Sequence, residues 1–197
     1  MVNSTEALEL LKRGNESYRA GKSSFPNTDT LRRESVVGGQ EPFAIIVGCA
    51  DSRVVPELVF DTGIGDLFVI RVAGNIVDDA VTASIEYAVA NLGTKLVVIL
   101  GHESCGAVTA AVKDAKGGHL DALTKAIKPA VEQTKKQHGD KIDNAIRQNA
   151  INMTHLLQDS EPVIKNMVEN EGVEIVPAYY SLSTGEVEFL SVKERVV

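Results

Sequence analysis

Along the chain, apolar and polar positions alternate in three distinguishable ways. Over residues 4–20, Ala7, Leu8, Leu11 and Tyr18 recur at roughly helical spacing in a polar background, with Ser4 or Thr5 available as a cap. This predicts an amphipathic helix. Residues 21–40 lose the period and are punctuated by Gly, Ser, Pro and Asn, so they read as an arm. An arm of that length is long for a connection inside a compact domain, and such segments are often functional or pack on a partner subunit. Then come three near-continuous apolar runs at 43–48, 67–72 and 96–101, short and rich in β-branched residues, as buried parallel strands are.

Helical patterns separate the three runs. The first is short, at 56–60. The second, at 78–91, carries Val81, Ile85 and Val89 four apart, with Asp78-Asp79 at its start and Gly93 as a stop. Residues 105–170 are helical throughout. Apolar stretches at 173–180 and 186–192 flank a turn at Ser183-Thr184-Gly185, which predicts an antiparallel hairpin at one edge. The β-α-β-α-β order gives an α/β fold: an open, mostly parallel β-sheet with flanking helices, an antiparallel edge strand and an N-terminal helical arm. The expected division is a helix and arm at 1–40 and a main α/β body at 41–197, one domain overall.

Composition narrows the function only a little. The 197 residues are 44% hydrophobic and 24% charged, ordinary for a soluble globular domain. With 27 acidic against 20 basic residues the net charge is −7, and no basic block stands out for nucleic-acid phosphates. The apolar runs are too short to span a bilayer. The first residues, Met1-Val-Asn-Ser-Thr-Glu, are polar and do not read as a secretory signal, so a cytoplasmic protein is expected, or a periplasmic one if a leader has been removed. Two cysteines are too few for a disulfide framework, which leaves core residues, reactive thiols or metal ligands.

The chemistry gathers after two of the strand runs. Gly48-Cys49-Ala50-Asp51-Ser52-Arg53 follows the first, and Gly101-His102-Glu103-Ser104-Cys105-Gly106 follows the third. In open parallel sheets, ligands bind outside the carboxyl ends of strands, near where the strand order reverses. Two thiolates and one imidazole from Cys49, Cys105 and His102 suit zinc. No third cysteine exists to close a fourth position. Asp51 either closes it, making a structural site, or is drawn away by Arg53 and accepts a proton beside an open one. Taken singly, each residue has a plainer reading: Cys49 as a core thiol, His102 as a structural histidine, Asp51–Arg53 as a turn pair. Their joint occurrence favours the catalytic site. His119, His138 and His155 have no ligand-like spacing and are assigned to surface or packing roles. The Gly63/Gly65 pair precedes a strand, so it is not a dinucleotide loop.

These motifs resemble those of the β-class carbonic anhydrases. The resemblance covers roughly residues 7–190. It is densest in Cys-Ala-Asp-Ser-Arg at 49–53, Gly-Asp-Leu-Phe-Val-Ile-Arg-Val-Ala-Gly-Asn at 65–75 and Gly-His-Glu-Ser-Cys-Gly at 101–106. It implies one zinc ion per subunit on Cys49, His102 and Cys105, with Asp51–Arg53 as the catalytic dyad. Gln40, Phe68, Tyr87 and the backbone N–H of Gly106 would contact substrate. The subunits would form dimers or tetramers, with the N-terminal helix and arm laid over the neighbour. In one subtype a tryptophan, an arginine and a tyrosine build an inhibitory bicarbonate site. Arg71 matches the arginine, but Ile46 takes the tryptophan's place, so that regulation is not expected and the zinc should be open at neutral pH.

The activity so implied is reversible hydration of CO2 to bicarbonate and a proton by zinc-bound hydroxide. Zinc lowers the pKa of its water from 15.7 toward ~7 in a histidine-rich site. Two thiolates weaken that pull, so activity should rise toward alkaline pH. Two alternatives stay open: hydrolysis of COS or CS2 on the same site, and a non-catalytic zinc-stabilised oligomer.

Overall fold

The computed structural model describes residues 2–191. Helix α1 spans Ser4–Arg19. Its cap is Asn3, not Ser4 or Thr5: the Asn3 side chain accepts from the Glu6 N–H at 2.9 Å, and the Glu6 carboxylate accepts from the Asn3 N–H at 3.2 Å. The expectation placed the cap one or two residues late; an Asn at that point followed by Glu6 satisfies two end donors reciprocally. The arm is not structureless. Helix α2 (Thr30–Ser35) forms inside it, capped by Asp29, with no buried residue of its own. A six-residue helix without an apolar face leaves no period to detect.

Strands β1 (Ala44–Gly48), β2 (Leu67–Arg71), β3 (Leu96–His102), β4 (Glu174–Tyr180) and β5 (Val187–Phe189) form one sheet in the order β2-β1-β3-β4-β5. The first four are parallel neighbours and β5 runs antiparallel to β4. The expected hairpin is therefore present, with its second strand ending at Phe189; Val192 lies outside the described residues. The remaining helices are α3 (Pro56–Val59), α4 (Asp79–Asn91), α5 (Gly106–Val112), α6 (Leu120–Thr134), α7 (Lys141–Gln158) and α8 (Val163–Asn170). Asp78 caps α4, accepting from the Val81 N–H at 2.9 Å.

Every residue of β1 and β3 is buried, because both sheet faces are covered. On one face Ile45, Val47, Val97 and Ile99 pack with apolar residues of α4 to α8. On the other, Ala44, Ile46, Leu96, Val98 and Leu100 pack with Ala7 and Leu11 of α1 and with Val59 and Phe60. Double coverage produced the continuous apolar runs. Helix α1 thus spends its apolar face on its own chain. It is pinned by Asn15, whose Nδ2 donates to the Val59 and Gly185 carbonyls and whose Oδ1 accepts from the Val187 N–H.

The chain leaves β1 for β2 on one side, then returns to lay β3 on the other. The order reverses at β1/β3, so the segments after these two strands open a crevice between them. Among the described residues, no helix is long and apolar enough to cross a membrane.

Candidate metal centre

Cys49 follows β1 directly, His102 is the last residue of β3, and Cys105 precedes α5. The half-turn between the last two needs Ser104 in the left-handed region, at φ 55°, an uncommon conformation that a surrounding site has to hold in place. It swings Cys105 back beside His102. The three donor atoms lie within 4.8 Å of one another and all three residues are buried; among the described residues they form the one such group of possible ligands.

The donor set fits a thiophilic cation on two observations. The His102 ring turns Nδ1 to the Glu103 carbonyl at 2.9 Å, which fixes the tautomer and leaves Nε2 with its lone pair free. That buried Nε2 has no hydrogen-bond partner, a costly arrangement unless something else binds it. The two sulfurs are 3.9 Å apart. The two thiols lie within hydrogen-bond reach of each other. This hydrogen bond pulls the Cys49 thiol below its ordinary range and, with burial, pushes Cys105 above it. Two thiolates this close repel each other, so both sulfurs can be ionised together only with a positive charge between them.

Asp51 and Arg53 form a two-pronged pair beside this group. Arg53 Nε donates to Oδ1 at 2.9 Å and Nη2 to Oδ2 at 2.8 Å, while the Arg53 backbone N–H also reaches Oδ1 at 3.0 Å. Arg53, with its own partner on the Ser104 carbonyl at 3.4 Å, ties the two segments together. The guanidinium holds the Asp51 carboxyl well below the usual carboxylate range. Asp51 Oδ2 stands 4.0 Å from His102 Nε2. The carboxylate is therefore next to the cluster, engaged by Arg53.

The outer residues are arranged more loosely. Gly106 begins α5 next to Cys105, and a Cβ there would meet nothing within 4 Å, so the space over its backbone is open. Phe68 on β2 and Tyr87 on α4 pair with ring centroids 6.4 Å apart, and Tyr87 is half exposed. Gln40 is exposed in the connection before β1 and no hydrogen bond joins it to the cluster. Ile46 is fully buried in the core.

Residue-level reading missed what Arg71 does. It ends β2 and donates from Nε to the Cys49 carbonyl at 3.1 Å and from Nη2 to the Asp51 carbonyl at 2.6 Å. The one available signal was an arginine closing an otherwise apolar strand. Gly74 was missed too: its N–H donates to Cys49 Sγ at 3.3 Å.

A mostly parallel sheet carrying two cysteine sulfurs, an imidazole and a carboxylate–guanidinium pair at its switch point defines a metal-dependent enzyme scaffold. Comparison with known proteins says which one. Residues 44–187 match the carbonic anhydrase family model. Carbonic anhydrase 2 of Mycobacterium tuberculosis is 37% identical over 189 residues, covering 93% of this chain and 91% of that protein. The carbonic anhydrase of Mycolicibacterium smegmatis is 36% identical over 194 residues, covering 96% and 94%. A solved tetrameric β-carbonic anhydrase from the filamentous ascomycete Sordaria macrospora superposes with a TM-score of 0.76 at 27% identity, covering 91% of this chain and 94% of its own. The chain belongs to the β-class carbonic anhydrases, and its cofactor is zinc.

Proposed function

We propose that this protein is a zinc-dependent carbonic anhydrase that interconverts CO2 and bicarbonate, with Cys49, His102 and Cys105 as the ligands. The carrying observation is the buried three-donor group within 4.8 Å, flanked by a carboxylate that Arg53 already engages. Bound zinc supplies a water made acidic enough to act as a nucleophile near neutral pH.

The chain's own residues do the rest. Arg53 keeps Asp51 ionised and aimed, so that Oδ2 can take a proton at the edge of the ligand group. Arg71 holds the carbonyls of Cys49 and Asp51 in place, which fixes ligand and acceptor relative to each other. The N–H of Gly106, at the first position of α5, lacks an intrahelical partner and is suited to a developing bicarbonate oxygen. Phe68 and Tyr87 supply apolar surface for a small linear substrate. Gln40 would donate to it once the arm is packed in the assembly.

The assembly is a homo-oligomer, a dimer or a tetramer. Supporting this, the arm displays Leu31 at 74% and Val37 at 83% exposure, apolar side chains that a neighbouring subunit would cover. Two free thiols at the centre suit a reducing compartment, so we assign the protein to the cytoplasm.

The test is zinc content together with CO2 hydration rate on purified protein. About one zinc per chain with hydration far above background is expected. Protein that carries zinc but turns over COS in preference to CO2 would overturn the substrate assignment.

A further inference from the structure

We infer that Asn149, buried on α7, is a positioning residue for the Cys49 sulfur and acts through Gly74. The inference rests on the metal site proposed above. Gly74 lies in a tight turn of residues 73–75 after β2, with φ 74°. Its N–H donates to Cys49 Sγ at 3.3 Å, and its carbonyl accepts from Asn149 Nδ2 at 2.9 Å. Both flanks of one residue are thus tied, one to a ligand atom and the other to α7, 75 residues away.

The turn has little freedom of its own to hold this geometry. Asn75, next to Gly74, sits at φ 44°, so two successive residues of the turn hold the left-handed conformation. A Cβ on Gly74 would come within 2.8 Å of Ile127 Cδ1 and 3.1 Å of Ala107 Cβ. Glycine is therefore favoured by φ, and any Cβ there would also make the Ile127 terminal methyl shift.

Asn149 is a poor choice for packing. It is fully buried, and its Oδ1 has no partner. An amide half satisfied in the core costs free energy that an apolar side chain of similar volume would not. What the amide does provide is a hydrogen bond to the Gly74 carbonyl. That bond locks the turn so that the neighbouring N–H stays on the sulfur. An N–H held on a thiolate orients it and draws off charge, which is how residues outside a ligand set govern metal retention.

The experiment compares wild type, Asn149→Leu and Asn149→Ala with Ile146→Val, a packing change on the same helix that leaves the polar link intact. Two quantities are read: zinc release to excess chelator, and the thiolate-to-metal charge-transfer band after cobalt substitution. Asn149→Leu should release zinc about tenfold faster or more, with a shifted band, while Ile146→Val stays within about twofold of wild type. Asn149→Ala should behave likewise, which keeps the test open if the leucine does not fold. Unchanged release and band in both Asn149 variants would overturn the inference. So would equal acceleration in Ile146→Val at matched melting temperature. A wild-type protein that takes up neither metal would instead sink the metal site itself, and this inference with it.

Discussion

The two ligand-bearing segments and the N-terminal arm are bound to the same body in opposite ways. After β1 and β3, the functional side chains turn inward. Cys49, His102 and Cys105 are buried, and Arg53 and Arg71 stitch their backbones together. The arm is fastened by its backbone and polar atoms. Ser24 and Phe25 N–H groups donate to Asp61, while Asn27 and Arg32 reach Asp66. Its large apolar side chains, Phe25, Leu31 and Val37, face out. The three donors all come from one chain. The arm has an ordered backbone and an uncovered apolar surface, the surface we propose a neighbouring subunit covers. In the reading proposed above, the metal ligands and the assembly surface lie in separate parts of the chain, and only Gln40, at the end of the arm, would reach from one to the other.

That separation breaks first, if it is wrong, at the ligands. Cys105→Ser should lose zinc and drop CO2 hydration to background, as read by metal analysis and stopped-flow assay; full zinc occupancy would remove Cys105 from the ligand set. Next in size, Asp51→Asn should keep zinc yet lose about 10²-fold or more in turnover, the scale of a proton-transfer group. In the parent protein the rate should climb from weakly acidic to alkaline pH. Asp51 should not contribute an inflection there, since its depressed carboxyl stays ionised and the Arg53 pair is lost only as pH falls below the ordinary carboxylate range.

Two smaller effects sharpen the other side of the contrast. Charging the arm with Leu31→Asp and Val37→Asp should raise the subunit dissociation constant at least about tenfold, some 1.4 kcal/mol, with zinc content unchanged. Light scattering across a dilution series would read this, and an unaltered size distribution would free the arm from assembly. Smallest, Asn3→Ala should cost about 1 kcal/mol of stability in denaturant unfolding, without touching metal or turnover.

Much of the centre was legible because chemistry restricts it to few residue types. Sulfur, imidazole and a carboxylate–guanidinium pair stand out at the ends of β1 and β3, whose continuous apolar runs mark strands buried on both faces. The supports were not legible, because they work through backbone atoms that every residue has. Arg71 grips two carbonyls, and Asn149 grips one from inside a polar helical stretch, Arg147-Gln148-Asn149, that gives no hint which residue points inward. Helix α2 escaped for a related reason: its stability comes from Asp29 and from Arg32 contacting Ile64 and Asp66, not from an apolar stripe.

The sequence by itself determined the order of the strands and of the helices between β1, β2 and β3, the identity of the three donors and the presence of Asp51 beside Arg53, since these depend on local periodicity and on side-chain chemistry. Tertiary structure alone decided that the donors meet. The reversal of strand order at β1/β3 sets Cys49 beside His102, and the left-handed Ser104 brings Cys105 around. It also decided that Asp51 is taken up by Arg53 at the rim of the ligand group. Distance in space between residues far apart in the chain is a property of the packed sheet, and no spacing along the sequence encodes it.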